Sequence, residues 1–389
     1  MNFGFARTPK ILFGAGNLKL LPEIIEGYGN NILILTGRSS FYNSTQWIHL
    51  TKKLSSRNIL WNHYIIPGEP SPALIDDCVL HSGFLQPDII IAIGGGSVMD
   101  AGKAISAMWP LQEPVKPYLE GVGDDRVHDG RKIPFVAVPT TSGTGSEATK
   151  NAVISEVGEH GFKKSLRHDQ FVPDLAIIDP ELTLNCPQRI TAWSGMDAFT
   201  QLLESYLSTN ANPMSDSIAL SGLEQVANYL ERVVDDGSDI EARSGMAYAA
   251  FCSGITLANA GLGVVHGFAS SIGGRFNIPH GLVCASLMGV SNEITLNKLL
   301  KEIPDDTAIR KYTKVGQLLY GSTEKDDIFY AEFVINKIHD LALKFDLPRL
   351  SEFGFDEILM DEIVSETSNK NNPVKLSQME LIEILEKVI

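Results

Sequence analysis

What the sequence has little of narrows its function first. Four cysteines in 389 residues, Cys78, Cys186, Cys252 and Cys284, lie far apart and form no CxxC pair. Neither a zinc knuckle nor a disulfide framework is expected, and the thiols read as reduced and mostly buried. Basic residues are in deficit: 32 Lys and Arg stand against 47 Asp and Glu, a formal net charge of −15. That balance repels a phosphate backbone and leaves no basic stripe to grip one, so nucleic acid is not an expected partner. No run of about 18 uninterrupted apolar residues occurs, and the start Met1-Asn2-Phe3-Gly4-Phe5-Ala6-Arg7 lacks the charged-then-apolar layout of a signal peptide. No membrane association and a cytoplasmic address are the resulting expectations.

What is present is ample core-forming material, with 44% hydrophobic residues in a chain longer than one core usually organises. Residues 31–35, 60–66, 88–93, 135–138 and 175–178 read as strands, most of them apolar on both faces, as in a parallel sheet covered by helices. Segments 74–84 and 98–108 carry helical spacing between them, giving a strand-helix-strand rhythm. After Pro180 the pattern turns helical, at 196–207, 214–230 and 240–260. The expected fold is thus an α/β domain with a parallel sheet over residues 1–185, followed by an all-α domain over 186–389. The boundary falls near Asp179-Pro180 and Cys186-Pro187, where proline biases the preceding backbone away from helix.

Two polar loops carry the first functional signal. Strand 88–93 runs into Gly94-Gly95-Gly96-Ser97 and then a helix start. Glycines without Cβ atoms let a diphosphate approach backbone N–H groups, and the helix dipole stabilises its charge. The spacing is neither the Rossmann GxGxxG nor a Walker loop. A second loop, Pro139-Thr140-Thr141-Ser142-Gly143-Thr144-Gly145-Ser146-Glu147, follows a later strand. Two such loops converge at the carboxyl edge of a parallel sheet, where open α/β folds bind ligands.

These segments, GGGSVMDAGK at 94–103 and PTTSGTGSE at 139–147, are joined by PDLAIIDP at 173–180, SGMDAFTQLLESY at 194–206, GLGVVHG at 261–267 and NIPHG at 277–281. With them the chain resembles the iron-containing (group III) alcohol dehydrogenase family over essentially its whole length. The resemblance implies a dehydroquinate synthase-like fold, a homodimer, and a nicotinamide dinucleotide as cofactor. It implies that Gly96, Ser97 and Asp100 contact the pyrophosphate side of that cofactor, that Thr140, Thr141 and Thr144 line the path to the nicotinamide, and that Lys164 reaches a ribose. Gly37, Arg38 and Ser39, at the end of the first long strand, offer no carboxylate to a ribose 2′-hydroxyl. Space and charge there favour a 2′-phosphate, so NADP is expected to be accepted alongside NAD.

Asp197 and Gln201 stand four apart on one helical face. With His266 and His280, set in the matching motifs, they form the expected site of a divalent metal, iron or zinc. Two departures from the family pattern fall here: Gln201 occupies the place of a third histidine, and Ser270 that of a further histidine implicated in moving the alcohol proton. Ser270, water or the cofactor ribose is then the expected proton relay. The reading is a metal-dependent, NAD(P)-linked alcohol dehydrogenase or aldehyde reductase acting on a small alcohol or carbonyl. Its rivals are a catalytically degraded or metal-free nucleotide-binding homologue and another reaction on the same fold, such as that of dehydroquinate synthase or glycerol-1-phosphate dehydrogenase. The remaining histidines, among them His63, His128, His160, His168 and His339, receive no role.

Overall fold

A computed structural model describes residues 2–159 and 161–389; His160 lies outside them. Its first half is a six-stranded parallel sheet formed by β1 (Lys10–Phe13), β2 (Asn31–Gly37), β3 (Leu60–Ile66), β4 (Ile89–Gly94), β5 (Phe135–Pro139) and β8 (Leu175–Ile178), in the order β1-β8-β5-β4-β2-β3. The central strand β4, IIIAIG, is buried at every residue, because helices cover both faces of the sheet. Two apolar layers result, one packed around Ile90, Ala92 and Phe135 and the other around Ile91, Ile93 and Val136. Successive side chains of one strand feed opposite layers.

All five expected strands form. β1, a four-residue edge strand, and the antiparallel hairpin β6 (Asn151–Glu156) and β7 (Phe162–Arg167) were not expected. Residues 74–84 are not one α-helix: Pro72–Asp76 is α-helical and Asp77–His81 widens into a π-turn. Beyond Ile178 no strand occurs among the described residues, and long helices such as Gln188–Leu207, Pro213–Asp235, Ile240–Ala260, Val264–Arg275 and His280–Glu302 pack around one large apolar core. The fold is therefore α/β followed by an all-helical half. No single helix is long and apolar enough to cross a membrane.

A small bridging core joins the halves, in which Ala148, Ala176 and Ile178 meet Ala247, Phe251 and Ile255. Gly145, left-handed at φ 60, presses its backbone against Gly254, and any side chain at either position would collide with the other's main chain. The β6–β7 hairpin lies against helix Val264–Arg275, with the Gly158 N–H donating to Gly274 O at 3.2 Å. Both contacts bring polar loops of the first half up to the histidine-bearing helices of the second.

Candidate active site

Strand register sets the first part of the site. Gly94 of β4 pairs with Pro139 of β5, and the Thr140 N–H donates to Gly94 O at 2.8 Å. The two loops therefore leave the sheet side by side. Gly95 caps helix Gly96–Met108 without a side-chain hydrogen bond, and no acidic residue occupies the first turn. Its N-terminal N–H groups stay open to an anion. A Cβ on Gly95 would sit 3.3 Å from Thr141 Oγ1, and one on Gly96 would sit 2.8 Å from Thr144 Oγ1. Gly94, Gly95, Gly96, Ser97, Thr140, Thr141 and Thr144 are thus brought together as expected.

Beneath the loops lies a buried polar brace whose lysine the sequence reading left without a role. Lys103 donates to Ser146 Oγ (2.9 Å), Thr149 Oγ1 (2.7 Å) and Asn151 O (2.6 Å), and Ser146 Oγ donates to Asp100 Oδ1 (2.5 Å). Burial pulls the Lys103 ammonium down to about 8, against the attraction of Asp100 and Glu147. Burial also lifts Glu147 to about 7 and raises Asp100 despite Lys103 and Ser146. One ammonium pins the second loop to the first helix.

Gly37 ends β2, and Arg38 and Ser39 follow it, exposed; Arg38 has no salt bridge among the described residues. Lys164, on β7, is exposed, whereas its neighbour Lys163 is paired at 2.7 Å with Glu69, which also accepts from Ser155 Oγ at 3.0 Å.

The second part of the site is a compact donor cluster. Asp197 projects from the middle of helix Gln188–Leu207, a helix buried on nearly every face. His266 lies in the first turn of Val264–Arg275, and His280 opens the next long helix directly after Pro279. His266 Nε2 stands 3.3 Å from Asp197 Oδ1, and His280 Nε2 stands 3.8 Å from the same oxygen. Cys284 completes the group, its Sγ 3.6 Å from His266 Nε2 and 3.8 Å from His280 Nε2. One donor atom from each of the four lies within 4.8 Å of the others. Asp197 Oδ1 is buried and accepts no hydrogen bond, a lack that a cation held there would meet.

Glu204, a further residue the sequence reading missed, orients His266. Its two carboxylate oxygens take the Val265 N–H (2.7 Å) and His266 Nδ1 (2.6 Å). Held at Nδ1, the ring turns Nε2 toward the cluster, where loss of the Nε2 proton to a metal would free a lone pair. Burial alone would lower the His266 pKa, but the Cys284 thiol, Glu204 and Asp197 outweigh it and hold the pKa well above the usual value. At Asp197 burial is likewise outweighed, here by His280 and His266, which bring the carboxyl to about 2. His280 falls to about 4, chiefly through burial, and burial pushes the Cys284 thiol up to about 12.

Gln201 lies beside Asp197, as the spacing of four expects: its Nε2 donates to Asp197 Oδ2 at 3.2 Å, and its Oε1 stands 3.4 Å from Ser253 Oγ, whose shorter bond runs to Ala250 O at 2.8 Å. Ser253 Oγ also lies 3.3 Å from Gly143 O, linking the cluster to the threonine-rich loop. The Ser270 hydroxyl donates to His266 O at 2.9 Å, a bond within its own helix. Signals for the missed residues did exist: Cys284 follows His280 by four and Glu204 follows Asp197 by seven, each on the same helical face.

With this geometry, comparison with known proteins is informative. The family model for iron-containing alcohol dehydrogenase matches residues 8–180, and that for the C-terminal part of the Fe-containing alcohol dehydrogenase family matches residues 191–389. Alcohol dehydrogenase 4 of Schizosaccharomyces pombe is 34% identical over 78% of this chain and 69% of its own. Long-chain-alcohol dehydrogenase 1 of Geobacillus thermodenitrificans is 30% identical over 76% and 72%. Among solved structures, the archaeal alcohol dehydrogenase ADH/D1 from a Red Sea brine pool, bound to NZQ, superposes with a TM-score of 0.88 at 27% identity, covering the whole of both chains.

Proposed function

This chain belongs to the iron-containing alcohol dehydrogenase family and is an alcohol dehydrogenase, and on that premise we propose how its residues divide the work of moving a hydride between nicotinamide and a small alcohol or carbonyl. The observation that carries the reading is adjacency: the uncapped Gly95–Ser97 turn is tied to the Thr140 loop, whose Gly143 and Gly145 pack against Ser253 and Gly254, and Ser253 lies beside Gln201, which bonds Asp197. A diphosphate-binding turn and a cluster of metal donors are parts of one site.

The open N–H groups at Gly96 and Ser97 receive the dinucleotide's pyrophosphate, Asp100 lies on that same side, and Thr140, Thr141 and Thr144 border the nicotinamide path. Lys164 is assigned to a ribose. Asp197, His266 and His280 hold a divalent metal, a role their convergence and the orphaned Asp197 Oδ1 support. When bound, the dinucleotide carries the hydride and the metal supplies Lewis acidity at the substrate oxygen. Glu204 keeps His266 in the ligating tautomer, and Gln201 fixes the orientation of Asp197. Since the Ser270 proton is already shared with a backbone carbonyl, water or the cofactor ribose is the better proton relay.

Arg38 and Ser39 beside Gly37 favour acceptance of NADP. The molecule acts as a homodimer; the edge strand β1, with Ile11 and Phe13 exposed, is the surface that supports this.

The test is turnover of a panel of alcohols and aldehydes at saturating NAD and NADP, with metal content measured before and after chelation. Activity lost on chelation and regained with iron or zinc is the expected result. Full activity of metal-free protein would remove the metal from the reading, and dinucleotide binding without turnover of any substrate would favour a degraded homologue.

A further inference from the structure

Gln201 vacates one corner of the metal centre, and Cys284 stands at another. In a tetrahedral zinc-type centre, bonds of about 2.1 Å to nitrogen or oxygen and about 2.3 Å to sulfur give donor-to-donor edges of roughly 3.4 Å for an N–O pair and about 3.6 Å for an N–S pair. The measured edges are 3.3 and 3.8 Å for the two N–O pairs and 3.6 and 3.8 Å for the two N–S pairs. Four of the six edges thus stand at coordination spacing and the other two lie within 4.8 Å, with four side chains from three helices converging and Asp197 Oδ1 accepting no hydrogen bond. Neither Cys78 nor Cys252 has such company, although both are buried.

We propose that Cys284 ligates the metal as a thiolate in place of the histidine that Gln201 displaces, giving an Asp–His–His–Cys centre. On loading, the Cys284 S–H bond breaks, its proton leaves to solvent, and sulfur bonds the metal. A soft sulfur donor in place of an imidazole moves the preference of the centre toward zinc and away from iron. The inference rests on the metal reading above and sharpens it to this chain's own donor set.

The test uses the full-length protein, stripped by chelation and reloaded with Co(II), then competed with Zn(II). The wild-type chain is expected to bind one equivalent of Co(II) and to show a thiolate-to-cobalt charge-transfer band in the near ultraviolet. Cys284→Ser is expected to lose that band and to bind Zn(II) more than about tenfold weaker, with dinucleotide binding retained as the check on folding. Gln201→Ala is expected to keep the band. Cobalt bound without the band, or Cys284→Ser binding Zn(II) as tightly as wild type, overturns the role of Cys284 alone. No cobalt bound by the wild-type chain overturns the metal reading beneath it.

A strap of chain crosses the same centre. Residues 368–372 fold back over the turn that carries His266: the Asn371 N–H donates to Leu262 O at 3.0 Å, the Thr209 N–H to Asn371 O at 3.0 Å, and a Cβ at Gly267 would strike the Ser368 carbonyl. At the bend of this strap Lys370 adopts φ 46.

Discussion

Replacing Glu204 by glutamine tests whether the centre depends on the tautomer of His266. The carboxylate, 5% exposed, accepts two buried donors at once, the Val265 N–H and the His266 Nδ1–H. Glutamine keeps the shape but has one acceptor oxygen, and its amide nitrogen must face the other donor. With the ring held as it is, one charge-assisted hydrogen bond is lost, about 1.5–3 kcal/mol, and one buried donor is left unpaired, a further ~1–3 kcal/mol. Relief is available if the ring gives up its Nδ1 proton, keeps the one on Nε2 and accepts the amide at Nδ1. That tautomer has no lone pair for a metal. Glu204→Gln is therefore expected to lose only about 1–2 kcal/mol of metal-free stability, and to bind metal ~10–100-fold more weakly. Urea unfolding of the stripped protein and competition for Zn(II) against a chromophoric chelator measure the two effects separately. Wild-type metal affinity in Glu204→Gln would refute the argument whatever happened to stability.

Three other outcomes are expected. Glu147 has a folded pKa near 7, above its ordinary 4.5, so the folded chain binds more protons than the unfolded one between those values. Its contribution is full below about pH 4.5 and is lost as pH rises through 7, by at most about 3 kcal/mol; urea midpoints of Glu147→Gln across pH 5 to 7 should fall less than those of wild type. Gly96→Ala would set a methyl 2.8 Å from Thr144 Oγ1, and the forced shift should cost about 1–3 kcal/mol and raise the dinucleotide Kd, read by fluorescence titration; unchanged binding would dissociate the two loops functionally. Arg38→Ala should weaken NADP about tenfold relative to NAD, and an unchanged NADP-to-NAD ratio would place the 2′-phosphate elsewhere.

Much of the site was legible because its signals are local. The glycine turn and the threonine loop are contiguous motifs, and the parallel order of two apolar strands was enough to bring them together. Asp197, His266 and His280 were legible through motif position. Cys284 was not, because its meaning depends on where a helix begins: only with His280 in the first turn, fixed by Pro279, does a residue four further on share its face. Gln201 was legible by its spacing from Asp197, but its neighbour Ser253 was not, being far away in sequence. The β6–β7 hairpin escaped notice because Lys163, Lys164 and Arg167 break the apolar pattern that marks a strand, and its partner is itself instead of the main sheet.

The strap over His266 has a consequence for assembly. Asn371 supplies the backbone partners of both Leu262 and Thr209, so the turn bearing His266 and the end of the helix bearing Asp197 are fastened by a segment the ribosome makes long after either. Ligands can be translated, and their helices formed, while the vessel that holds them still lacks its stopper. A protease cut near residue 370 would then uncork the cluster with its side chains all still in place.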